Sequence, residues 1–521
     1  MSSKSEPWDL VIVGSGIAGL TAAISAAGRG ARVAVLSKEE SLSECNTRYA
    51  QGGIVAKGEG DSPELLAEDI MKAGEYLNSR EAVETVVKEG PGLVEGLLAE
   101  RAGVPFQRRG DGSFDVTREA AHSVRRIYHV KDRTGAEIER CLLEAALSME
   151  SVKAFPSCMA IDVITNTHHS RDLQERYKPV RSLGVYAFME NTGEVVPFFA
   201  KAVILATGGV GNLFLHTSNP PGATGDGIAM AYRAGADIIN AEYVQFHPTV
   251  LFNPDVSRFL ISEALRGEGA RLMNRKGEYF MDRYQPGLRD LAPRDQVARA
   301  IYLEMEATGS PYMLLDTKRM KVDPAERFPS IHETCASIGI DIRNDPIPVV
   351  PAAHYFCGGI KTDLRGRTSV PGLYAVGECA CNGVHGANRL ASVSLLEGLV
   401  FGTRAGNAAL GEEEVKPDVI RGIPEWVSPD REEQVDPILV YHDLLNIQTC
   451  MWDYAGILRT RKRLARAIAD LNYLDHRIES FYREAGLSKK LVELRNGVVA
   501  ASLIARAAQA NPRSLGCHYV R

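Results

Sequence analysis

The chain has 521 residues, 45% of them hydrophobic and 24% charged, with a net charge of −6. That length allows two to four domains with ample core, and the mild acidity argues against nucleic acid or an anionic membrane as a partner. Nine cysteines without a C-x-x-C pair or repeated spacing read as free thiols in a reducing cytoplasm, no apolar run nears the ~18 residues of a membrane helix, and a fold that starts by Asp9 leaves no room for a signal peptide.

Asp9 to Ser37 reads as a strand, a glycine turn, a helix and a second strand. The run Leu10–Val13 is short and β-branched, as in a strand buried on both faces. Gly14, Ser15, Gly16, Ile17, Ala18 and Gly19 follow it as G-x-G-x-x-G at the mouth of the helix. Gly14 permits the tight turn, Gly16 lets backbone approach a pyrophosphate, and Gly19 lets the helix lie close to the strand. The phosphates then sit on free N–H groups at the positive end of the helix dipole. With strand, helix and strand all in place, this is a dinucleotide site. The acid usual at the end of the second strand is absent; Ser37 and Lys38 stand there, and the motif does not choose between NAD and FAD.

A polar loop of about twenty residues follows, the length at which loops are functional. Glu64–Ser79, Arg80–Arg101 and Gly135–Ser148 show helical spacing, and Val104–His129 is irregular and rich in charge. Asp162–Thr165, Leu183–Glu190 and Val195–Phe199 read as a small antiparallel sheet. Ala202–Leu205 is another buried strand, running into the glycine turn Ala206, Thr207, Gly208, Gly209; Asp226 then opens a helix over Gly227–Ala234. From Asn240 to about Pro348 the α/β rhythm breaks, which reads as an inserted domain containing a helix opened by Pro293. The rhythm resumes with the strand Leu373–Val376, Glu378 and a helix from about Ser392. Residues 411–436 are proline-rich and acidic, a linker, and Met451–Leu471 and Leu487–Ala510 read as helices of a small bundle. The expected organisation is α/β: a dinucleotide domain in two parts (1–239 and 349–410), a capping domain (240–348), a linker (411–436) and a helical domain (437–521).

His247, Glu263, Arg266, Arg294, His354 and Arg389 cluster in the insertion and at its border. Each alone reads as a core histidine or a surface charge. Together, beside the glycine turns of a nucleotide domain, they suit a small dicarboxylate, since arginine grips a carboxylate through two parallel hydrogen bonds. No metal-ligand spacing such as H-E-x-x-H and no G-x-S-x-G is present.

Ten motifs in order, GSGIAG, NTRYAQGG, TREAAHS, ATGG, FHPTV, SEALRGEGA, APRD, HYFCGG, GLYAVGEC and HGANRLASVSLLE, resemble the succinate dehydrogenase and fumarate reductase flavoprotein family, and within it the branch that oxidises L-aspartate. They cover Asp9 to about Thr403, and MWDYAGILRT carries the likeness into the helical tail. The resemblance implies a Rossmann-like FAD-binding domain with an inserted α+β capping domain and a C-terminal helical bundle. FAD is expected on Gly14–Gly19, Ser37, Lys38, Thr47, Ala50, Gln51, Gly52, Gly53, Ala206, Thr207, Gly208, Asp226, Glu378, Ser394 and Leu395. The dicarboxylate clamp falls on His247, Ser262, His354 and Arg389, with Arg294 beside the reacting carbons and Glu263 and Arg266 as a proton relay. Asn46 stands where succinate dehydrogenases carry the histidine that bonds FAD, so noncovalent FAD is expected. Glu119 is expected to hold a substrate ammonium group; Ala120 and Ala121 replace a glycine pair common in relatives. Ser514, Leu515, Gly516, Cys517 and His518 stand for a closing S-R-G-x-H, and the missing arginine implies a weaker contact to the cofactor domain.

The implied reaction is oxidation of L-aspartate to iminoaspartate with oxygen or fumarate as acceptor, feeding quinolinate synthase and NAD synthesis in the cytoplasm. A soluble fumarate reductase or succinate dehydrogenase flavoprotein remains the nearest alternative, and an RNA-binding FAD protein a remote one, disfavoured by the net charge.

Overall fold

The computed structural model describes residues 6–119, 121–256, 258–427 and 436–521. Strand β1 (Trp8–Val13), helix α1 (Ile17–Ala27) and strand β2 (Val33–Leu36) form the βαβ unit. Helix α2 (Thr134–Leu147) leads into β3 (Val152–Phe155), followed by β4 (Cys158–Thr165), β5 (Ser182–Met189), β6 (Glu194–Leu205) and helix α3 (Asp226–Arg233). A second sheet begins with β7 (Val244–Leu251) and takes in β8 (Arg271–Met273), β9 (Met313–Asp316) and β10 (Ile347–Phe356), with helix α4 (Arg294–Thr308) in the same segment. The chain returns through β11 (Leu373–Ala375) and helix α5 (Val393–Ala409), then runs into helices α6 (Pro437–Ala455), α7 (Arg461–Glu484) and α8 (Lys489–Ala510).

The parallel order β3-β2-β1-β6-β11 reverses direction between β1 and β6. Such a switch point opens a crevice at the carboxyl ends of the strands, where α/β sheets take ligands. Leu10, Val11 and Ile12 of β1 are fully buried, as a central parallel strand requires.

Two segments differ from the sequence reading. Val195–Phe199 and Ala202–Leu205 are one twelve-residue strand, β6. Its first half pairs antiparallel with β5 and its second half parallel with β1, so the small antiparallel sheet is an extension of the main one. Burial follows the change of partner, alternating at first and then continuous. The helical pattern Met451–Leu471 is two helices, interrupted at Gly456; the Thr460 hydroxyl accepts from the Arg463 N–H at 3.1 Å and caps α7.

Within 411–436, the helix Pro417–Gly422 brings Ile420 and, just beyond it, Ile423 onto Ile164, Leu183, Tyr186 and Phe199; residues 428–435 of that stretch lie outside the described residues. Helices α1 and α5 pack closely through Gly398, Gly402 and Gly406, which form one stripe of α5. A Cβ on Gly402 would lie 2.5 Å from the Ala18 carbonyl oxygen, and one on Gly406 2.4 Å from that of Ala22. This contact sets the N-termini of both helices on one cavity.

Candidate active site

That cavity, of about 1200 Å³, is bordered by every residue assigned from the sequence except Gly19 and Arg266. Its volume exceeds the ~300–1,000 Å³ usual for one small ligand and gives room for a dinucleotide with a second molecule. Gly19 lies under the turn, where a Cβ would meet the Gly14 carbonyl oxygen at 2.1 Å. Arg266 lies behind Glu263, 2% exposed, donating to the Asp290 carbonyl at 2.5 Å.

At the nucleotide end, α1 has no side-chain cap, and the Ile17 N–H donates to Thr47 Oγ1 at 3.0 Å. The rest of its first turn is open to an anion. Lys38 does not project freely: its ammonium group pairs with Asp226 and Glu493, each at 2.7 Å. Burial opposes the Lys38 charge, but the two carboxylates raise its pKa above the ordinary lysine value. Glu378 accepts from Asn46 Nδ2 at 2.7 Å and from the Phe356 N–H at 2.9 Å; burial pushes it up to about 7 against those bonds. Asn46 Oδ1 is buried without a hydrogen-bond partner among the described residues. A glycine turn beneath an uncapped helix, a second helix N-terminus and an unpaired buried amide oxygen fit a flavin dinucleotide.

The other end is built by the second sheet. Gln245 and His247 share one face of β7 by its period of two, and β10, paired to β7, carries His354. The two imidazoles lie 5.3 Å apart. Burial lowers both pKa values well below the histidine norm, helped for His247 by Arg294 and for His354 by Arg389, so both rings are neutral. His354 Nδ1 meets Ser218 Oγ at 2.7 Å, and His247 Nδ1 meets the Thr249 backbone at 3.2 Å. Arg294 opens α4 and donates from Nε to Glu263 Oε2 at 2.7 Å, with Arg266 4.0 Å from the same oxygen. Burial raises the Glu263 pKa less than the arginines lower it, so it stays ionised.

Arg389 is 7% exposed and has no carboxylate within ion-pair distance among the described residues. It donates to Ser394 Oγ at 2.7 Å and to Gln245 Oε1 at 3.2 and 3.3 Å, and its guanidinium carbon lies 4.4 Å from the Tyr355 ring centroid. Glu119 reaches the cavity because Gly52 has no side chain: a Cβ there would lie 2.1 Å from Glu119 Oε1. Glu119 Oε2 accepts from Ser392 Oγ at 2.8 Å. Ala121 sits at φ +66°, the left-handed conformation that a glycine would adopt without strain; Ala120 lies outside the described residues.

Sequence reasoning missed Gln245, Tyr355, Ser392 and Ser218. For the first two a signal existed: Gln245 is two residues from His247 on a strand, and Tyr355 adjoins His354. Ser392 and Ser218 meet their partners only through the fold, 273 and 136 residues apart in sequence.

A parallel dinucleotide sheet sharing one cavity with two buried arginines and two neutral histidines defines a nucleotide-dependent oxidoreductase. Residues 9–395 match the FAD binding domain family, and residues 445–521 match the fumarate reductase flavoprotein C-terminal family. The L-aspartate oxidase of Pseudomonas aeruginosa is 43% identical over 98% of this chain and 94% of its own length. The L-aspartate oxidase of Halobacterium salinarum is 42% identical over 98% and 96%. Among solved structures, E. coli quinol fumarate reductase FrdA superposes with a TM-score of 0.87 at 30% identity, covering 99% of this chain and 91% of that one. The chain belongs to the L-aspartate oxidase branch of the FAD-dependent succinate dehydrogenase and fumarate reductase flavoproteins, and its cofactor is FAD. No described helix is long and apolar enough to cross a membrane.

Proposed function

We propose that this protein oxidises L-aspartate to iminoaspartate, with dioxygen or fumarate taking the electrons, as the first step toward quinolinate and NAD. The observation that carries the reading is Arg389, buried with only neutral acceptors and facing Arg294 and two neutral imidazoles across the cofactor cavity. Burial and the neighbouring Arg294 lower the Arg389 pKa, which is the mark of a cation awaiting an anion. In the proposed complex His247, Ser262, His354 and Arg389 hold the two carboxylates and orient Cα, a placement that can lower a barrier by several kcal/mol, up to ~7–11 in ideal cases. FAD supplies the two-electron acceptor for the hydride that leaves Cα. Glu119 takes the ammonium group, a charged hydrogen bond worth ~1.5–3 kcal/mol that succinate lacks.

Burial works against the charge on Arg294, yet Glu263 and Glu119 raise its pKa overall. At rest Arg294 is therefore a cation beside the reacting carbons, and a proton passes by transient exchange between Arg294 and the ionised Glu263, with Arg266 behind it. Iminoaspartate hydrolyses in water, so direct handover to quinolinate synthase belongs to the proposal, as does a cytoplasmic setting for nine free thiols.

A soluble fumarate reductase or succinate dehydrogenase flavoprotein would share the same clamp, and the likeness to FrdA favours it as the second reading. Stopped-flow mixing without oxygen separates them. L-aspartate should bleach the flavin absorbance and succinate should not; bleaching by succinate alone would overturn the proposal. Glu119→Gln should raise KM for L-aspartate about ten- to a hundredfold and leave succinate binding unchanged.

A further inference from the structure

Arg389 ends a loop, residues 385–389, that has a neighbour from the far end of the fold. Residues 515–521, beyond α8, fold back as a strap between this loop and the α6–α7 turn. The Cys517 N–H donates to the Ala387 carbonyl at 3.0 Å, the Arg459 N–H to the Tyr519 carbonyl at 3.1 Å, and the Arg521 N–H to the Arg459 carbonyl at 2.9 Å. Gly516 has φ +51°, and a Cβ on it would lie 2.5 Å from the Ala387 carbonyl oxygen, so glycine is what lets the strap lie this close. Leu515 packs against the cluster of Tyr243, Tyr355, Cys357 and Ala387.

From the strap a continuous chain of hydrogen bonds reaches the guanidinium. The buried Cys517 thiol donates to Asn388 Oδ1 at 3.1 Å, and the same oxygen accepts from Gln245 Nε2 at 2.7 Å. Gln245 Nε2 also donates to the Arg389 carbonyl at 2.9 Å, and Gln245 Oε1 accepts from Arg389 Nε and Nη2 at 3.3 and 3.2 Å. The orientation of one amide decides the next. With Asn388 Oδ1 held toward Gln245, the Gln245 amide must present its nitrogen to Asn388 and its oxygen to Arg389. Arg389 fixes that orientation of Gln245 through its carbonyl and its guanidinium; if Asn388 turned, its NH₂ would face the Gln245 NH₂, two donors with no acceptor between them, and Gln245 would be pushed off the guanidinium.

We propose that Cys517 is a positioning residue for Arg389, acting through Asn388 and Gln245 to hold the guanidinium in its carboxylate-binding pose. This rests on the reading of Arg389 as a carboxylate clamp. The thiol touches neither substrate nor cofactor; it helps hold the Asn388 amide oxygen toward Gln245.

The test uses the FAD-loaded full chain and succinate as a binding probe, read by the change in flavin absorbance, with L-aspartate turnover alongside. Cys517→Ala should raise the succinate Kd and the L-aspartate KM about threefold to tenfold, the loss of one neutral hydrogen bond. The kcat should stay within about twofold, FAD affinity should not move, and Cys517→Ser, which keeps a donor, should recover most of the loss in binding. Asn388→Ala should weaken succinate binding in the same way, and the double variant should be no worse than the weaker single variant, because both act on one chain. Additive effects, an unchanged succinate Kd in Cys517→Ala, or a fall in FAD affinity that parallels it would overturn the inference. Arg389→Lys separates the two levels. If it weakens succinate binding and Cys517→Ala does not, the strap inference alone fails; if Arg389→Lys has no effect, the clamp reading fails and takes this inference with it.

Discussion

Glu139 on α2 is 1% exposed and sits beside Cys45, at the start of the turn Asn46–Tyr49 that borders the cofactor cavity. Burial pushes its pKa up to about 8, against a smaller downward pull from Cys45 and Arg48. The folded chain therefore keeps this carboxyl protonated at neutral pH, while the unfolded chain ionises it near the ordinary 4.5. Between those two values the folded state binds the extra proton, so stability falls as pH rises from about 4.5 to about 8, by up to about 1.4 kcal/mol per pH unit from this group. Glu139→Gln should remove that slope, and urea midpoints measured from pH 5 to pH 8.5 should run flatter in the variant than in the parent. An equal slope in both would show that Glu139 does not hold the proton. The site arginines follow the same residue-scale logic in the opposite sense: Arg294 keeps its charge because two carboxylates stand beside it, whereas Arg389 has no carboxylate within ion-pair distance among the described residues and waits for the ligand's.

Helices carry the cofactor end. The glycine stripe of α5 against α1 is legible as G-x-x-x-G-x-x-x-G from Gly398 to Gly406, yet only the packed pair shows that it aims two helix N-termini at one cavity. Helix α8 reaches the same region from the helical segment. Its Glu493 pairs with Lys38 at 2.7 Å, its Asn496 donates to Asp226 Oδ1 at 2.9 Å, and its Lys489 pairs with Glu39 at 2.5 Å. Lys38 is thus oriented from both sides, by Asp226 of α3 and by Glu493 of α8. Glu493→Gln keeps the shape and removes the charge. Because Lys38 retains Asp226, the expected loss is about 1–3 kcal/mol, less than for a buried charge left alone. It should appear as a lower unfolding temperature and a weaker FAD Kd, read by flavin fluorescence. A wild-type FAD Kd in this variant would mean that α8 takes no part in holding Lys38.

On the scale of the whole molecule, the cavity lies between the main sheet, which brings the glycine turns, and the second sheet, which brings the histidines and Arg294. Asn46 stands on the seam, donating to Glu378 at 2.7 Å. An amide there cannot form a covalent link to the flavin. Denaturing the yellow protein in acid or urea should therefore release all of its FAD to the supernatant on filtration, and flavin retained on the polypeptide would contradict that.

What the sequence determined by itself was local. The glycine turn, the histidine and arginine motifs and the start of α4 at Pro293 were legible because each depends on backbone freedom or strand period within a few residues. The single strand β6 and the break between α6 and α7 were not, because a strand's partner and a helix's end depend on what packs against them. Nor were Gln245 as the partner of Arg389, Lys38 held by Glu493, or the strap on Asn388. Those contacts join residues 144, 455 and 129 positions apart, and no local pattern encodes which buried polar group must satisfy another. Tertiary structure decided them, because a donor or acceptor taken out of water must find its partner among whatever side chains the fold sets beside it.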